Sequence, residues 1–92
     1  LMNLEEFNKE VKYCEVYKNE CIRQYGEYTK ETIDAYEYLA DCFNHLNDKE
    51  NAYKCYEKCY ELNKEVFGEN QPDTFKFLLQ VNFSFDDTVI NM

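Results

Sequence analysis

Few residues in this sequence can interrupt a helix. The chain has two glycines and one proline among its 92 residues, namely Gly26, Gly68 and Pro72. Between them, apolar residues recur every three or four positions, which is the spacing of one helix face, and no segment alternates with the two-residue period of a strand. The sequence therefore predicts an all-α fold without a sheet.

Basic residues are scarce as well. Ten lysines and arginines stand against 19 aspartates and glutamates, and the formal net charge is -9. Nucleic acids and anionic membrane surfaces both attract cationic side chains, so the composition argues against both as partners. A basic protein partner fits this charge better. No apolar run approaches the roughly 18 residues that are needed to cross a bilayer, and no signal peptide is visible.

The residues of common catalytic sites are largely missing. The chain has a single histidine, His45, and neither a glycine-rich phosphate loop nor a nucleophile elbow. The sequence therefore lacks the sets of residues that usually carry out acid–base catalysis. Adjacent carboxylates such as Asp86 and Asp87 are more typical of a solvated face. We expect a chain that is not an enzyme, with no catalytic residue and no cofactor.

Cysteine is the one reactive residue type that is frequent. The five cysteines are Cys14, Cys21, Cys42, Cys55 and Cys59. Their number is odd and all lie in helical patterns, unlike those of a secreted disulfide scaffold. Cys55 and Cys59 are one helical turn apart, so zinc with His45 as a further ligand is conceivable, but no CxxC motif exists. We interpret the cysteines as small core residues, reduced and metal-free, in a cytoplasmic protein.

The apolar spacing and the breakers place four helices, over about 4–25, 30–45 and 48–67 and from Pro72 onward. Gly26 and Gly68 are expected to end the helices that precede them. Asn47 with Glu50 predicts a capping box at the start of the third helix. The predicted buried face of the fourth helix comprises Phe75, Leu78, Leu79, Val81 and Phe85.

An internal repeat is the strongest signal. Gly26 and Gly68 lie 42 residues apart, and each is preceded by an aromatic residue and followed by Glu. Thr32 and Thr74 share the same offset. A period of this size in a helical chain indicates stacked helix pairs, none of which buries its apolar face alone.

The residues of the complete unit, 32–72, resemble a tetratricopeptide repeat, in particular the 42-residue variety of kinesin light chains. The positions that carry the resemblance are Leu39, Ala40, Phe43, Ala52, Tyr56, Cys59, the linker Glu65-Val66-Phe67-Gly68 and Pro72-Asp73. The resemblance implies a right-handed solenoid of three to four helices in antiparallel pairs. It divides the chain into a half repeat (1–27), a full repeat (28–69), the first helix of a further repeat (70–87) and a frayed tail (88–92).

In that family the first helix of each pair lines a concave groove that binds a partner protein or peptide. The resemblance places six residues of this chain in the groove: Asp34, Glu37, Tyr38, Asp41, Asn44 and His45. Acidic and aromatic side chains together favour a peptide with Lys or Arg. The alternative is a structural or self-associating helical bundle with no peptide groove. Topology separates the two, since a closed bundle brings the first helix against the last.

The ends of such a fragment are expected to expose apolar surface. Leu78, Leu79, Val81 and Phe85 have no following helix within the chain to cover them. Contiguous apolar patches tend to find partners. The sequence therefore predicts a homo-oligomer, formed end to end or by exchange of terminal helices.

Overall fold

The computed structural model describes residues 4–90, with side chains from Glu5 to Phe83, as four α-helices. They are α1 (Leu4–Tyr25), α2 (Lys30–His45), α3 (Lys49–Phe67) and α4 (Pro72–Ile90). No residue in the described range lies in a strand. The all-helical prediction is confirmed, and the bounds predicted for α1 and α2 agree with those observed.

The helix α4 continues further than the sequence analysis expected. It extends to Ile90, so 88–90 of the segment predicted as a frayed tail are helical, while 91–92 lie outside the described residues. No glycine or proline follows Pro72. Because the segment lacks a residue that forces an earlier end, the helical hydrogen bonds can continue through its polar part.

The connection between α2 and α3 is built differently from the predicted capping box of Asn47 and Glu50. Asn47 has a φ of 61° and ends α2, and the next backbone N–H donates to the carbonyl of Phe43 at 2.9 Å. This is the pattern in which a left-handed residue closes a helix, and Asn tolerates that conformation better than most residues. The N-cap of α3 is Asp48, whose carboxylate accepts from the backbone N–H of Asn51 at 3.2 Å.

The 42-residue repeat is visible in two equivalent turns. Gly26 and Gly68 have φ values of 93° and 106°, and a Cβ built on either would meet nothing within 4 Å. Backbone conformation rather than space therefore favours glycine there. The hydroxyl of Thr32 donates to the carbonyl of Gly26 at 2.7 Å, and that of Thr74 donates to the carbonyl of Gly68 at 2.8 Å. Both threonines are fully buried.

Each helix packs on its neighbours in the chain. Contacts between helices join α1 to α2, α2 to α3 and α3 to α4, and within the described range α1 does not touch α4. Consecutive helices run antiparallel, as the contacts from α3 to α2 show: Cys59 reaches the start of α2 at Ile33, and Tyr56 reaches Asp41 further along. The molecule is accordingly flat, with extents of 37 × 33 × 18 Å.

The core centres on the contact between α2 and α3. Ala40 and Ala52 are both 0% exposed, and their lack of a side chain beyond Cβ allows the two backbones to approach closely. Around them pack Leu39, Cys55 and Tyr56, with Val11, Cys14, Phe43 and Val81 at the margin. A second cluster joins α2, α3 and α4 through Ile33, Cys59, Leu62 and Phe77.

The buried face of α4 differs from the predicted one. Thr74 and Phe77 are buried, whereas Phe75 is 50% exposed and Leu79 is 69% exposed. Phe85 lies outside the described side chains. The prediction followed apolar residues alone and so missed Thr74, whose hydroxyl is buried because it has two hydrogen-bond partners. With Thr74 in the core, α4 is rotated about its axis so that Phe75 and Leu79 lie on its exposed side.

The close contact of α2 and α3 can be tested by overpacking. Ala52→Leu inserts three carbons where no space exists, and we expect a loss of about 1–3 kcal/mol in the free energy of unfolding. The matched control is Lys54→Leu on the exposed side of α3, where the change should be within about 0.5 kcal/mol. Urea denaturation followed by circular dichroism measures both, and a neutral Ala52→Leu would show that the helices are not in close contact there.

The two equivalent turns predict unequal costs for the same substitution. Thr74→Val leaves the Gly68 carbonyl and the buried Asn63 amide without this partner, and we expect a loss of about 1–3 kcal/mol. Thr32→Val should cost less, because the Gly26 carbonyl also accepts from the hydroxyl of Thr29 at 2.9 Å. Urea denaturation of the two variants side by side checks the order. Equal losses would contradict the role given to Asn63.

Candidate functional site

Four of the six groove residues expected from the sequence lie around one surface cavity. Asp34, Glu37, Tyr38 and Asp41 line a cavity of about 320 Å³ on one side of α2. Their spacing of three and four residues puts them on a single helix face. We call these four residues the acidic groove.

The other two expected residues are set apart from it. Asn44 and His45 are exposed in the last turn of α2 and do not line this cavity. The side-chain oxygen of Asn44 accepts from the ammonium of Lys49 at 2.7 Å, across the turn to α3. The end of α2 therefore takes part in the α2–α3 connection rather than in the acidic groove.

Two carboxylates of the acidic groove form ion pairs within the molecule. Asp34 accepts from Lys30 one turn earlier on α2 at 3.1 Å, and Glu37 lies 3.2 Å from the ammonium of Lys76 on α4. All four side chains are partly exposed, and exposed pairs of this kind contribute about 0–1 kcal/mol each. A cation from a ligand could therefore replace either lysine at little cost.

The third carboxylate has a structural partner. The hydroxyl of Tyr56 donates to Asp41 at 2.6 Å, and the Tyr56 ring is buried in the core between α2 and α3. Burial, and then the bond to the carboxylate, raises the pKa of Tyr56. Asp41 thus satisfies a buried hydroxyl with one oxygen and lines the acidic groove as well, a double role that the sequence did not indicate.

An aromatic pair lies beside the carboxylates. Tyr38 on α2 and Tyr17 on α1 meet edge to face, with ring centroids 6.5 Å apart and planes at 68°. Both rings are at least half exposed, so they can offer contact surface to a cationic side chain. Sequence reasoning missed Tyr17, because only the antiparallel packing of α1 on α2 brings it next to Tyr38. Lys76 was missed for the same reason.

The cysteines that meet in the structure are Cys14 and Cys42, not the Cys55–Cys59 pair considered in the sequence analysis. The sulfur atoms of Cys14 and Cys42 are 3.2 Å apart, across the contact of α1 with α2. Burial raises the pKa of Cys55 to about 11, and it also raises the pKa of Cys59. Such thiols are protonated at neutral pH and are poor nucleophiles. Within the described range, no group of three or more His, Cys, Asp or Glu side chains is arranged to hold a metal ion.

The outer face of α4 carries an apolar stripe. Phe75, Leu79 and Phe83 are spaced by four residues and are 50%, 69% and 63% exposed. Leu79 and Phe83 line a shallow surface depression with Gln80. Despite this apolar surface, none of the helices in the described part of the chain has the length and hydropathy to span a membrane.

Comparisons with protein-family models, with curated proteins and with solved structures gave no match to this chain. The acidic groove and the repeat are therefore the features of the chain that bear on its function.

Proposed function

We propose that this chain is a non-catalytic protein-interaction module of the tetratricopeptide type, which binds a basic peptide or protein segment in the acidic groove. The observation that carries the proposal is the convergence of Asp34, Glu37, Tyr38 and Asp41 around one cavity. A cytoplasmic setting fits five cysteines that are all free thiols.

Three structural features support a solenoid over a closed bundle. The Gly–Thr turn occurs twice with nearly the same geometry, the helices pack in chain order, and α1 and α4 make no contact in the described range. A closed bundle would bring its first and last helices together. In a solenoid, α2 and α4 belong to equivalent positions of successive repeats, which explains why Lys76 of α4 reaches Glu37 of α2.

Binding would proceed by exchange of cations. A ligand ammonium or guanidinium would replace Lys76 on Glu37 or Lys30 on Asp34, and the released lysine would return to water. Exchange of one exposed ion pair for another gains little. Net affinity would come from the sum over the three carboxylates, about 1–2 kcal/mol in all, and from cation–π contact with Tyr38, about 0.5–1 kcal/mol at an exposed site. We expect modest affinity that decreases as salt screens the charges.

A neutralised groove tests the proposal. In the triple variant Asp34→Asn, Glu37→Gln and Asp41→Asn, the shapes and the acceptor for Tyr56 are kept while the charge is removed. We expect about a five- to thirtyfold loss of affinity, since three weakened pairs together amount to about 1–2 kcal/mol. The measurement is fluorescence anisotropy with labelled short peptides that carry pairs of lysines, compared with the same peptides carrying glutamine.

The matched control is Glu61→Gln, Glu65→Gln and Glu69→Gln, three exposed residues of α3 and the turn that follows it. It changes the net charge by the same amount and should leave affinity within about twofold. Equal losses in both triple variants would mean that the peptides respond only to the overall negative charge, and the acidic groove would then have no specific role.

The exposed stripe of α4 favours self-association as a second function. By the repeat offset, Phe75 occupies the position of Ile33, which is buried against α3 in the second core cluster. The other two stripe residues, Leu79 and Phe83, occupy the positions of Glu37 and Asp41, which line the acidic groove, so no helix of the repeat covers that part of the stripe. A second copy would cover the stripe with its own α4 stripe, giving a symmetric dimer.

Sedimentation over a range of concentrations tests this assembly. We expect a mass that rises above the monomer value of 11.2 kDa and a return to monomer in the variant Leu79→Lys with Phe83→Lys, because burying lysine ammonium groups is costly. The control, Tyr25→Lys with Tyr28→Lys, changes two exposed aromatics elsewhere and should still assemble. A wild type that remains monomeric at every concentration would rule the assembly out.

A further inference from the structure

Two thiols from different helices are in contact outside the acidic groove. Cys14 of α1 and Cys42 of α2 are 28 residues apart in the chain, and their sulfur atoms are 3.2 Å apart. The carboxylate of Glu10 lies 3.5 Å from the Cys42 sulfur and accepts its S–H. Among the cysteines, Cys14 is the one that is not buried.

We propose that Cys14 and Cys42 form a redox-modification site, at which a peroxide converts the two thiols into a disulfide between α1 and α2. The sulfur atoms need to approach by about 1 Å to reach bonding distance, a shift within the range of side-chain rotation. The inference does not depend on the peptide-binding function, because neither cysteine lines the acidic groove.

Cys14 is the residue that meets the peroxide. Its partial exposure admits a small oxidant, whereas Cys42 is only 7% exposed. Burial, the contact with Cys14 and the negative charge of Glu10 all raise the pKa of Cys42, which keeps Cys42 protonated until Cys14 has reacted. At rest the pair is therefore reduced, as free thiols in a reducing compartment are expected to be.

The reaction has two steps. The thiolate of Cys14 attacks hydrogen peroxide, the O–O bond breaks, one oxygen stays on sulfur as a sulfenic acid and the other leaves as hydroxide, which takes up the thiol proton to form water. The Cys42 sulfur then attacks the Cys14 sulfur. The S–S bond forms as the S–O bond breaks, and the departing hydroxide takes the Cys42 proton by way of Glu10, releasing a second water. Two thiols and one peroxide give one disulfide and two waters.

The disulfide would hold α1, a terminal helix that packs on one neighbour. In the described range α1 packs on α2 alone, so its docking depends on a single interface. A covalent link across that interface restricts the unfolded chain and holds α1 in place. It would also hold Tyr17 against Tyr38, so oxidation would preserve the aromatic side of the acidic groove.

Peptide mapping after oxidation tests the site. The full chain is treated with hydrogen peroxide under non-denaturing conditions, and we expect an intact mass lower by two hydrogen atoms and a linked Cys14–Cys42 peptide that dithiothreitol separates. The melting temperature should rise by at least about 10 °C on oxidation. In Cys42→Ser, dimedone should trap the sulfenic acid on Cys14.

Two further variants make the result specific. Cys14→Ser should lose both the linked peptide and the rise in melting temperature, whereas Cys21→Ser, also in α1, should keep both. Circular dichroism confirms that each variant is folded before oxidation. A wild type that forms no linked peptide, that links Cys14 to another cysteine, or that only dimerises through disulfides would overturn the proposal.

Discussion

The close approach of α2 and α3 at Ala40 and Ala52 sets the positions of most other parts of the molecule. Because neither residue has a side chain beyond Cβ, the two backbones come near enough for Leu39, Cys55 and Tyr56 to enclose the contact. At this separation the Tyr56 hydroxyl reaches Asp41. The core contact and the acidic groove therefore lie on two sides of α2. The packing of α3 against one side fixes the orientation of the Asp41 carboxylate on the other.

The two Gly–Thr turns set the angle at which each following helix leaves. A buried hydroxyl bonded to the preceding glycine carbonyl holds the first turn of α2 and of α4 in equivalent positions. The second turn has an additional support, since the Asn63 amide donates to Thr74 at 2.7 Å. The equivalent position in the first turn is Cys21, which has no amide. The two turns thus share the same backbone geometry but differ in the hydrogen bonds to their threonines.

Local signals in the sequence were sufficient for the helices, and the resemblance to the repeat family supplied part of the acidic groove. The bounds of α1 and α2 and the positive φ of Gly26 follow from periodicity and from glycine chemistry. Asp34 and Tyr38 were assigned to the groove through the resemblance to the repeat family, and their spacing along α2 puts them on one face.

Features that depend on two helices could not be predicted in this way. The rotation of α4 was missed because a buried threonine has no apolar signature. Tyr17, Lys76 and the contact of Cys14 with Cys42 each require knowledge of which residues meet across an interface. The cap at Asp48 was missed for a local reason, since Asn47 and Asp48 are both good capping residues and only the backbone conformation distinguishes them.

Packing in chain order has a consequence for how the molecule opens. When each helix packs mainly on the next, stability is approximately a sum of nearest-neighbour terms, and the terminal helices can detach while the central pair stays folded. The carboxylates of the acidic groove all belong to α2, in that central pair, whereas Tyr17 and Lys76 belong to α1 and α4. The acidic groove lies wholly on α2 and keeps its carboxylates and Tyr38, whereas the Tyr17 ring and the Lys76 ammonium beside it can detach. Fraying of α1 would remove the Tyr17 ring and with it contact surface for a cation. Fraying of α4 would remove Lys76 and leave Glu37 open to another cation, so partial unfolding at the two ends would change cation binding in opposite directions.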